Sequence, residues 1–116
     1  MRTRKFGVKN PDDGTFDGYI IKCPGCKMSH VLDHRWKFNG DLEKPTFTPS
    51  LLVRIGKYAN PEWFNSLSEE DKELHEQISF NCHSYITDGR IQFLSDCTHN
   101  LVNQIVDLPE VEPLEL

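Results

Sequence analysis

The sequence predicts a mainly β fold of the α+β class: a small antiparallel β domain with a C-terminal β-hairpin and one inserted surface helix. Short runs rich in β-branched and aromatic residues recur along the chain, and turn-forming residues separate them. The dipeptide Asp88-Gly89 lies between two such runs and is typical of a two-residue type I′ hairpin turn. A third observation, the spacing Cys23-Pro24-Gly25-Cys26, is typical of a zinc knuckle.

The length and composition fit one soluble globular domain. The 116 residues match the usual size of a single folding unit, covering 1–116. With 37% hydrophobic and 27% charged residues, the chain does not have a disordered composition. The formal net charge of −5 argues against non-specific nucleic-acid binding, because that binding needs a basic surface to displace counterions.

Targeting and membrane signals are not visible in the sequence. No apolar run approaches the roughly 18 residues of a membrane helix, and no apolar core follows the basic start, residues 1–5. We therefore expect no membrane association and a cytoplasmic location. In that compartment four cysteines are more often thiols or metal ligands than disulfides.

The predicted strands follow from β-forming runs between loops rich in Asn, Asp, Gly and Pro. We place them at residues 5–8, 16–22, 31–38, 51–55, 78–87, 90–95 and 104–108. Pro45 and Pro49 lack backbone donors, so residues 44–50 are expected at a sheet edge or in an extended loop. Residues 109–116 are expected to form an acidic, frayed tail.

The inserted helix has two start signals. Asn60-Pro61 combines an N-cap residue with proline at the first helical position. Ser68 is a second cap, and three acidic residues follow it, where the helix dipole favours negative charge. The helix is expected to end at about Gln77, and its polar composition places it on the surface.

The hairpin allows a prediction of which side chains share a face. A two-residue turn at 88–89 pairs Thr87 with Arg90, Ile86 with Ile91, Ser84 with Phe93 and Cys82 with Ser95. Side chains alternate along a strand, so His83 and Tyr85 face away from the core. The predicted core face carries Phe80, Cys82, Ile86, Ile91 and Phe93.

Two Cys/His clusters, far apart in sequence, predict a metal site. The knuckle lets Cys23 and Cys26 reach one ion from a tight turn, and zinc takes four tetrahedral nitrogen or sulfur ligands. Two of Cys82, His83 and His99 are expected to complete the site, with Cys97 as a further candidate. Neighbours on a regular strand point to opposite faces, so Cys82 and His83 compete unless the strand bulges between them.

Two other interpretations of the cysteines are weaker. A thioredoxin-like redox motif places its two cysteines between a strand and a helix, but residues 27–32 do not begin a convincing helix. A catalytic zinc would keep an open position and a nearby acid, for which Asp88 and Asp96 are the candidates. Asp88 is already part of a turn signal and Asp96 suits a turn cap, so a closed structural site is the simpler account.

Several segments are distinctive as a set: CPGC at 23–26 followed by His30, WKFNGD at 36–41, PTFTPSL at 45–51, CHSYITDGRI at 82–91, and DCTH at 96–99. They resemble a family of small phage and prophage proteins of unknown function, often mislabelled ammonia monooxygenase, and the resemblance covers about residues 19–109. It implies a viral origin, gives His83 and His99 the same weight as Cys82 among the ligand candidates, and makes residues 61–77 a variable insertion. Where the family pattern resembles Leu-Ala-Gly-Gln, this chain has Asn103 in place of glycine, which preserves a left-handed turn.

These observations lead to a functional prediction. We interpret the chain as a phage-encoded accessory protein with a structural zinc site, which binds a host or viral protein in the host cytoplasm. We lean towards a non-enzymatic role, assign no catalytic residue and leave the oligomeric state open. The alternative is a zinc-dependent hydrolase that uses an open metal site.

Overall fold

Eight strands form two antiparallel sheets in the computed structural model, which describes residues 1–7, 11–12 and 18–112. The strands are β1 (Arg4–Phe6), β2 (Gly18–Cys23), β3 (Met28–Asp33), β4 (Lys37–Phe38), β5 (Phe47–Ile55), β6 (Phe80–Thr87), β7 (Arg90–Phe93) and β8 (Ile105–Asp107). The first sheet has the order β1-β2-β3 and the second β4-β5-β6-β7-β8. The predicted fold class, mainly antiparallel β with a helical insertion, is confirmed.

The insertion contains two short helices where one was predicted: α1 (Pro61–Asn65) and α2 (Glu69–Ile78). Both begin at the predicted caps, because the Asn60 side chain accepts a hydrogen bond from the Trp63 amide and the Ser68 hydroxyl accepts one from the Asp71 amide. Within the ranges that the structure describes, no helix is long and apolar enough to span a membrane.

Most predicted strands form, with shifted ends. The strand predicted at 31–38 is interrupted, because the Asp33 carbonyl accepts from the Trp36 amide in a turn that separates β3 from β4. β5 begins at Phe47, four residues earlier than predicted. The left-handed turn expected at Asn103 is present, with φ of 63°. Parts of three predictions lie outside the described residues: position 8 of the first strand, positions 16 and 17 of the second strand, and the tail at 113–116.

The hairpin of β6 and β7 has the predicted register as far as Ser84 and Phe93. The predicted pair of Cys82 with Ser95 does not form, because β7 ends at Phe93 and the chain turns there. The Cys97 amide donates to the Leu94 carbonyl in this turn. The loop that carries Asp96 and Cys97 therefore lies beside β6, where a longer β7 would have continued.

The core lies between the two sheets. β2 and β3 contribute Ile21, Cys23 and Leu32, and the second sheet contributes its inward side chains, all nearly or fully buried: Phe47, Leu51, Cys82, Ile86, Ile91 and Phe93. The predicted core face of the hairpin is thus confirmed, with Phe80 partly buried. The opposite face of the second sheet is exposed at Tyr85 and Ile105. A small two-layer protein keeps one sheet face open in this way.

β5 contains an irregularity that matters for function. From Phe47 to Leu51 this strand advances by four residues, while β6 advances by only two, from Ile86 to Ser84. The two extra residues make a bulge, a feature that re-aims side chains beside active sites. Ser50 lies at the end of this bulge, directly before the regular pairing of Leu51 with Ser84 resumes.

Candidate active site and metal centre

Three polar side chains form a connected row on the exposed face of the second sheet. Ser50 comes from the β5 bulge, His83 from β6, and Asp96 from the loop after β7. The Ser50 Oγ lies 3.0 Å from Nε2 of His83. Nδ1 of His83 lies 3.3 Å from Oδ2 of Asp96. This is the serine–histidine–aspartate connectivity of nucleophile, base and orienting acid, which is recognised by geometry and not by sequence order.

The row assigns the protons of His83. An ionised Asp96 carboxylate can only accept a hydrogen bond, so Nδ1 of His83 must be the donor. The neutral ring then has its lone pair on Nε2, where it accepts the Ser50 hydroxyl proton. The His83 side chain is 27% exposed and Asp96 is 49% exposed, so the row is reachable from solvent.

Backbone hydrogen bonds hold the middle of the row. The Cys97 sulfur accepts from the His83 amide at 3.3 Å, and its thiol donates to the His83 carbonyl at 3.1 Å. The Leu94 amide also donates to that carbonyl. In a regular antiparallel pair, the His83 amide would donate to the Leu94 carbonyl. Here the Leu94 carbonyl accepts from the Cys97 amide, and the His83 amide donates to the Cys97 sulfur instead.

The backbone of Ser50 is also anchored. The indole Nε1 of Trp36 donates to the Ser50 carbonyl at 3.3 Å. Trp36 is partly buried against the core. The backbone of Ser50 is therefore tied on one side to the core and on the other to regular pairing with β6.

A second cluster lies on the opposite face of β6, between the sheets. Cys23, Cys26, Cys82 and His99 place one ligand atom each within 4.8 Å of one another, so they could hold a metal ion. The Cys23 and Cys82 sulfurs are 3.9 Å apart, and the Cys82 sulfur is 3.6 Å from Nε2 of His99. All four cysteines of the chain are free thiols.

The three thiols of this cluster shift one another's pKa values. Hydrogen bonds with the Cys26 and Cys82 side chains lower the pKa of Cys23, and between Cys23 and Cys82 either sulfur can be the donor. The same bond to Cys23 raises the pKa of Cys26 to about 12 and that of Cys82 well above its usual value. Neighbouring thiolates repel one another, so the three thiols could all ionise only with a compensating positive charge such as a divalent ion.

Burial suits His99 to a ligand role, whereas its hydrogen bond with Leu101 would have to change on metal binding. Burial lowers the pKa of His99, which favours the neutral ring that binds metals. Its Nδ1 accepts the Leu101 amide at 3.2 Å, which leaves the ring proton on Nε2. A metal on Nε2 would shift the ring proton to Nδ1, and the Leu101 amide would have to turn away.

The knuckle packs tightly on this ring. A Cβ at Gly25 would lie 2.2 to 2.5 Å from three ring atoms of His99, so only glycine fits there. The Cys26 amide points at the Cys23 sulfur at 3.4 Å, as expected for a cysteine knuckle. The turn that contains Gly25 therefore packs directly against the loop that contains His99.

The structure brings four of the five predicted ligand candidates together and places His83 elsewhere. β6 has no bulge at this point, so Cys82 points inward and is 1% exposed, while His83 points outward to Ser50 and Asp96. Cys97 also lies outside the cluster and bonds the His83 backbone. The competition between Cys82 and His83 is thus decided by strand alternation.

Sequence reasoning assigned no catalytic residue and so did not find this row. The sequence predicts a turn cap at Asp96, and it places Ser50 at a sheet edge or in an extended loop. One signal for the acid was present: the hairpin register places Leu94 opposite His83, so Asp96 is its diagonal neighbour on the same face. No comparable signal existed for Ser50, because the pairing of β5 with β6 is not set by a short turn.

Comparisons with known proteins correct the functional prediction. No curated protein matches the chain, and no solved structure matches it either. A family model described as the bacterial ubiquitination-like system serine protease, BubE, matches residues 1–94. The assignments to phage proteins of unknown function and to a non-enzymatic accessory role were therefore wrong, and the zinc hydrolase alternative falls with them. The matched range contains Ser50 and His83 and covers most of the chain, which therefore belongs to the family of bacterial ubiquitination-like system serine proteases (BubE).

Proposed function

We propose that this chain is a serine peptidase in which Ser50 is the nucleophile, His83 the general base and Asp96 the acid that orients it. The observation that carries the proposal is the continuous row from Ser50 through both ring nitrogens of His83 to Asp96. The family match supports the same chemistry, since its description names a serine protease.

Acylation follows from the proton assignment. As the Ser50 Oγ attacks the substrate carbonyl, its proton passes to Nε2 of His83, and the resulting imidazolium is stabilised by Asp96. Nε2 then gives this proton to the leaving amine when the carbon–nitrogen bond breaks. The products of this half-reaction are an ester on Ser50 and the free amine.

Deacylation uses the same groups in reverse. A water molecule gives a proton to Nε2 of His83 and attacks the ester carbonyl. The proton returns to the Ser50 oxygen as the acid product leaves. The exposure of His83, at 27%, leaves room for water to reach Nε2.

The proposed substrate is an amide bond in a protein of a ubiquitination-like system, the process named in the family description. The row lies on a sheet face where Asp96 is half-exposed and His83 is partly exposed, which suits a protein substrate. Beside it, Tyr85, Gln92 and Ile105 form part of a groove of about 370 Å³. The protein partner expected from the sequence would then be this substrate, and the acidic net charge argues against nucleic acid as a ligand.

We further propose that the ion held by the cysteine and histidine cluster is zinc. Tetrahedral zinc with ordinary bond lengths separates two sulfurs by about 3.8 Å, and a sulfur from a nitrogen by about 3.5 Å. The corresponding distances here are 3.9 Å and 3.6 Å. Four protein ligands make a closed, structural site, and reduced thiols suit the cytoplasm of a bacterial cell.

Labelling with a fluorophosphonate probe tests the nucleophile. The purified protein is expected to form one adduct, mapped by mass spectrometry to Ser50, and to hydrolyse an activated ester. Ser50→Ala should lose both activities while its melting temperature changes by no more than a few degrees, since the hydroxyl is on the surface row. Ser66→Ala, an exposed serine on the C-cap of α1, is the matched control and should react like wild type.

The peptidase proposal fails if Ser50→Ala retains the wild-type labelling and hydrolysis rates.

Elemental analysis tests the metal. Protein purified under reducing conditions should contain about one zinc per chain, and Cys26→Ser should lower this content. Protein with intact thiols, full activity and no bound zinc would contradict the zinc proposal without affecting the peptidase proposal.

A further inference from the structure

The metal centre and the catalytic row are built on the same strand. Cys82 and His83 are consecutive on β6, and the first points inward to the cluster while the second points outward to Ser50. The two sites therefore lie on opposite faces of the same backbone segment. A change in the position of this segment would reach both sites.

The two sites also share one loop. Asp96 contacts the ring of His83, and His99, three residues later, belongs to the metal cluster. The loop between them forms no regular helix or strand. Its position decides where the Asp96 carboxylate lies.

Hydrogen bonds clamp this loop to β6 beside the cluster. The Thr98 amide donates to the Asn81 carbonyl at 3.0 Å, and the Asn81 amide donates to the Thr98 Oγ1 at 3.2 Å. The Asn81 side chain donates to the Asp96 carbonyl at 2.9 Å. His99 is the only ligand that this loop supplies to the cluster. A bound ion would therefore attach the loop to the three cysteines at His99, one residue after the hydrogen bonds of Thr98.

The Asp96 carboxylate depends on this clamp. The side chain is 49% exposed, and its contact with Nδ1 of His83 is longer than an ordinary charge-assisted hydrogen bond. Its position is therefore set by the loop backbone more than by its own side-chain contacts. Releasing His99 would free the loop at a point three residues from the catalytic acid.

We propose that metal occupancy at Cys23, Cys26, Cys82 and His99 controls the serine peptidase by fixing the loop that positions Asp96 against His83. This inference rests on the proposed function. The metal takes no part in the reaction, and its loss lowers activity by releasing the orienting acid. Cells with little available zinc would then hold the enzyme in a low-activity form.

A comparison of two proteins, each with and without zinc, tests the proposal. The rate of fluorophosphonate labelling at Ser50 is measured for wild type and Asp96→Asn in three states: with zinc bound, after zinc removal with a chelator, and after re-addition of Zn²⁺. Wild type should lose at least about tenfold in rate and regain it with Zn²⁺. Asp96→Asn already lacks the orienting acid, so zinc removal should change its rate by less than about twofold, as coupled groups do.

Amide hydrogen exchange gives a readout that does not depend on catalysis. Zinc removal should speed exchange of the Thr98 amide, which donates to Asn81, while the Ile91 amide in β7 keeps its protection. This contrast separates loop release from general unfolding. It also remains measurable if Ser50 proves unreactive, so failure of the peptidase proposal would be recognised separately.

Three results would overturn the inference. The first is zinc-free, folded wild type that labels at the zinc-loaded rate. The second is an equal loss of rate in wild type and Asp96→Asn, which would place the effect elsewhere. The third is loss of protection at Ile91 together with Thr98, which would make the metal a global stabiliser and not a loop clamp.

Discussion

At the scale of single residues, His83 connects most of what the structure shows. Its ring joins Ser50 to Asp96, and its backbone is held by Leu94 and Cys97. The catalytic role proposed for this imidazole needs a defined tautomer and a defined orientation. The contact with Asp96 fixes the tautomer, and the backbone contacts hold the residue in place. The neighbouring Cys82 has an unrelated role because alternation turns it to the other face.

Asp96→Asn should lower kcat by about 10²–10⁴-fold with little change in stability. The amide of asparagine can donate to Nδ1, which moves the ring proton to Nε2 and removes the base that faces Ser50. Ester hydrolysis and urea unfolding measure the two effects. Asp107→Asn removes an exposed carboxylate on the same sheet face and should keep the wild-type kcat; an equal loss there would indicate a general charge effect.

Cys97→Ala should lower the free energy of unfolding by about 1–3 kcal/mol, because the His83 amide loses its buried acceptor. The labelling rate of Ser50 should fall as well, since the backbone of the base is less firmly held. Cys97→Ser keeps a donor and an acceptor and should lose less than half as much stability in urea unfolding. Equal losses for both variants would mean that sulfur volume matters and the hydrogen bonds do not.

At the scale of elements, the knuckle between β2 and β3 and the loop after β7 fit together. The contact is between Gly25 and the His99 ring, and there is no space for a side chain at residue 25. The sequence predicted the knuckle from its spacing alone. It did not predict that the loop containing His99 would lie across it, because that contact requires the two sheets to be packed.

Gly25→Ala should reduce zinc affinity by at least tenfold and lower the melting temperature, because the methyl group collides with the His99 ring. Competition with a chromogenic chelator measures the affinity. Gly40→Ala is the control: Gly40 has φ of 83° with nothing near its Cβ position, so it carries backbone strain without the collision. If Gly40→Ala weakens zinc binding as much, the contact with His99 is not the cause.

At the scale of the whole molecule, one core joins the two sheets, and both sites depend on it. Leu32 and Ile21 from the first sheet meet the inward side chains of β5, β6 and β7. The cluster of three cysteines and His99 extends this core with side chains from both sheets. Thermal or chemical unfolding should therefore be a single cooperative transition, as in most small domains.

Leu32→Ala should lower the free energy of unfolding by about 2–5 kcal/mol, the usual effect of emptying a buried leucine site. In a Trp63→Phe background, which leaves Trp36 as the remaining tryptophan, far-ultraviolet circular dichroism and Trp36 fluorescence should report the same midpoint in urea. Leu74→Ala on α2, where the leucine is 64% exposed, should change stability by less than about 0.5 kcal/mol. Separate midpoints for the two probes would show that the sheets unfold independently.

Local signals in the sequence determined the hairpin, the helix caps, the inward face of β6 and the knuckle. Each depends on residues close together in the chain, where turn chemistry and side-chain alternation act directly. Only the tertiary structure decided that His83 joins Ser50 to Asp96 and that His99 lies with three of the cysteines. Ser50 and His83 are 33 positions apart. Their contact depends on the bulged register of β5 against β6, which the packed core selects and no short motif encodes.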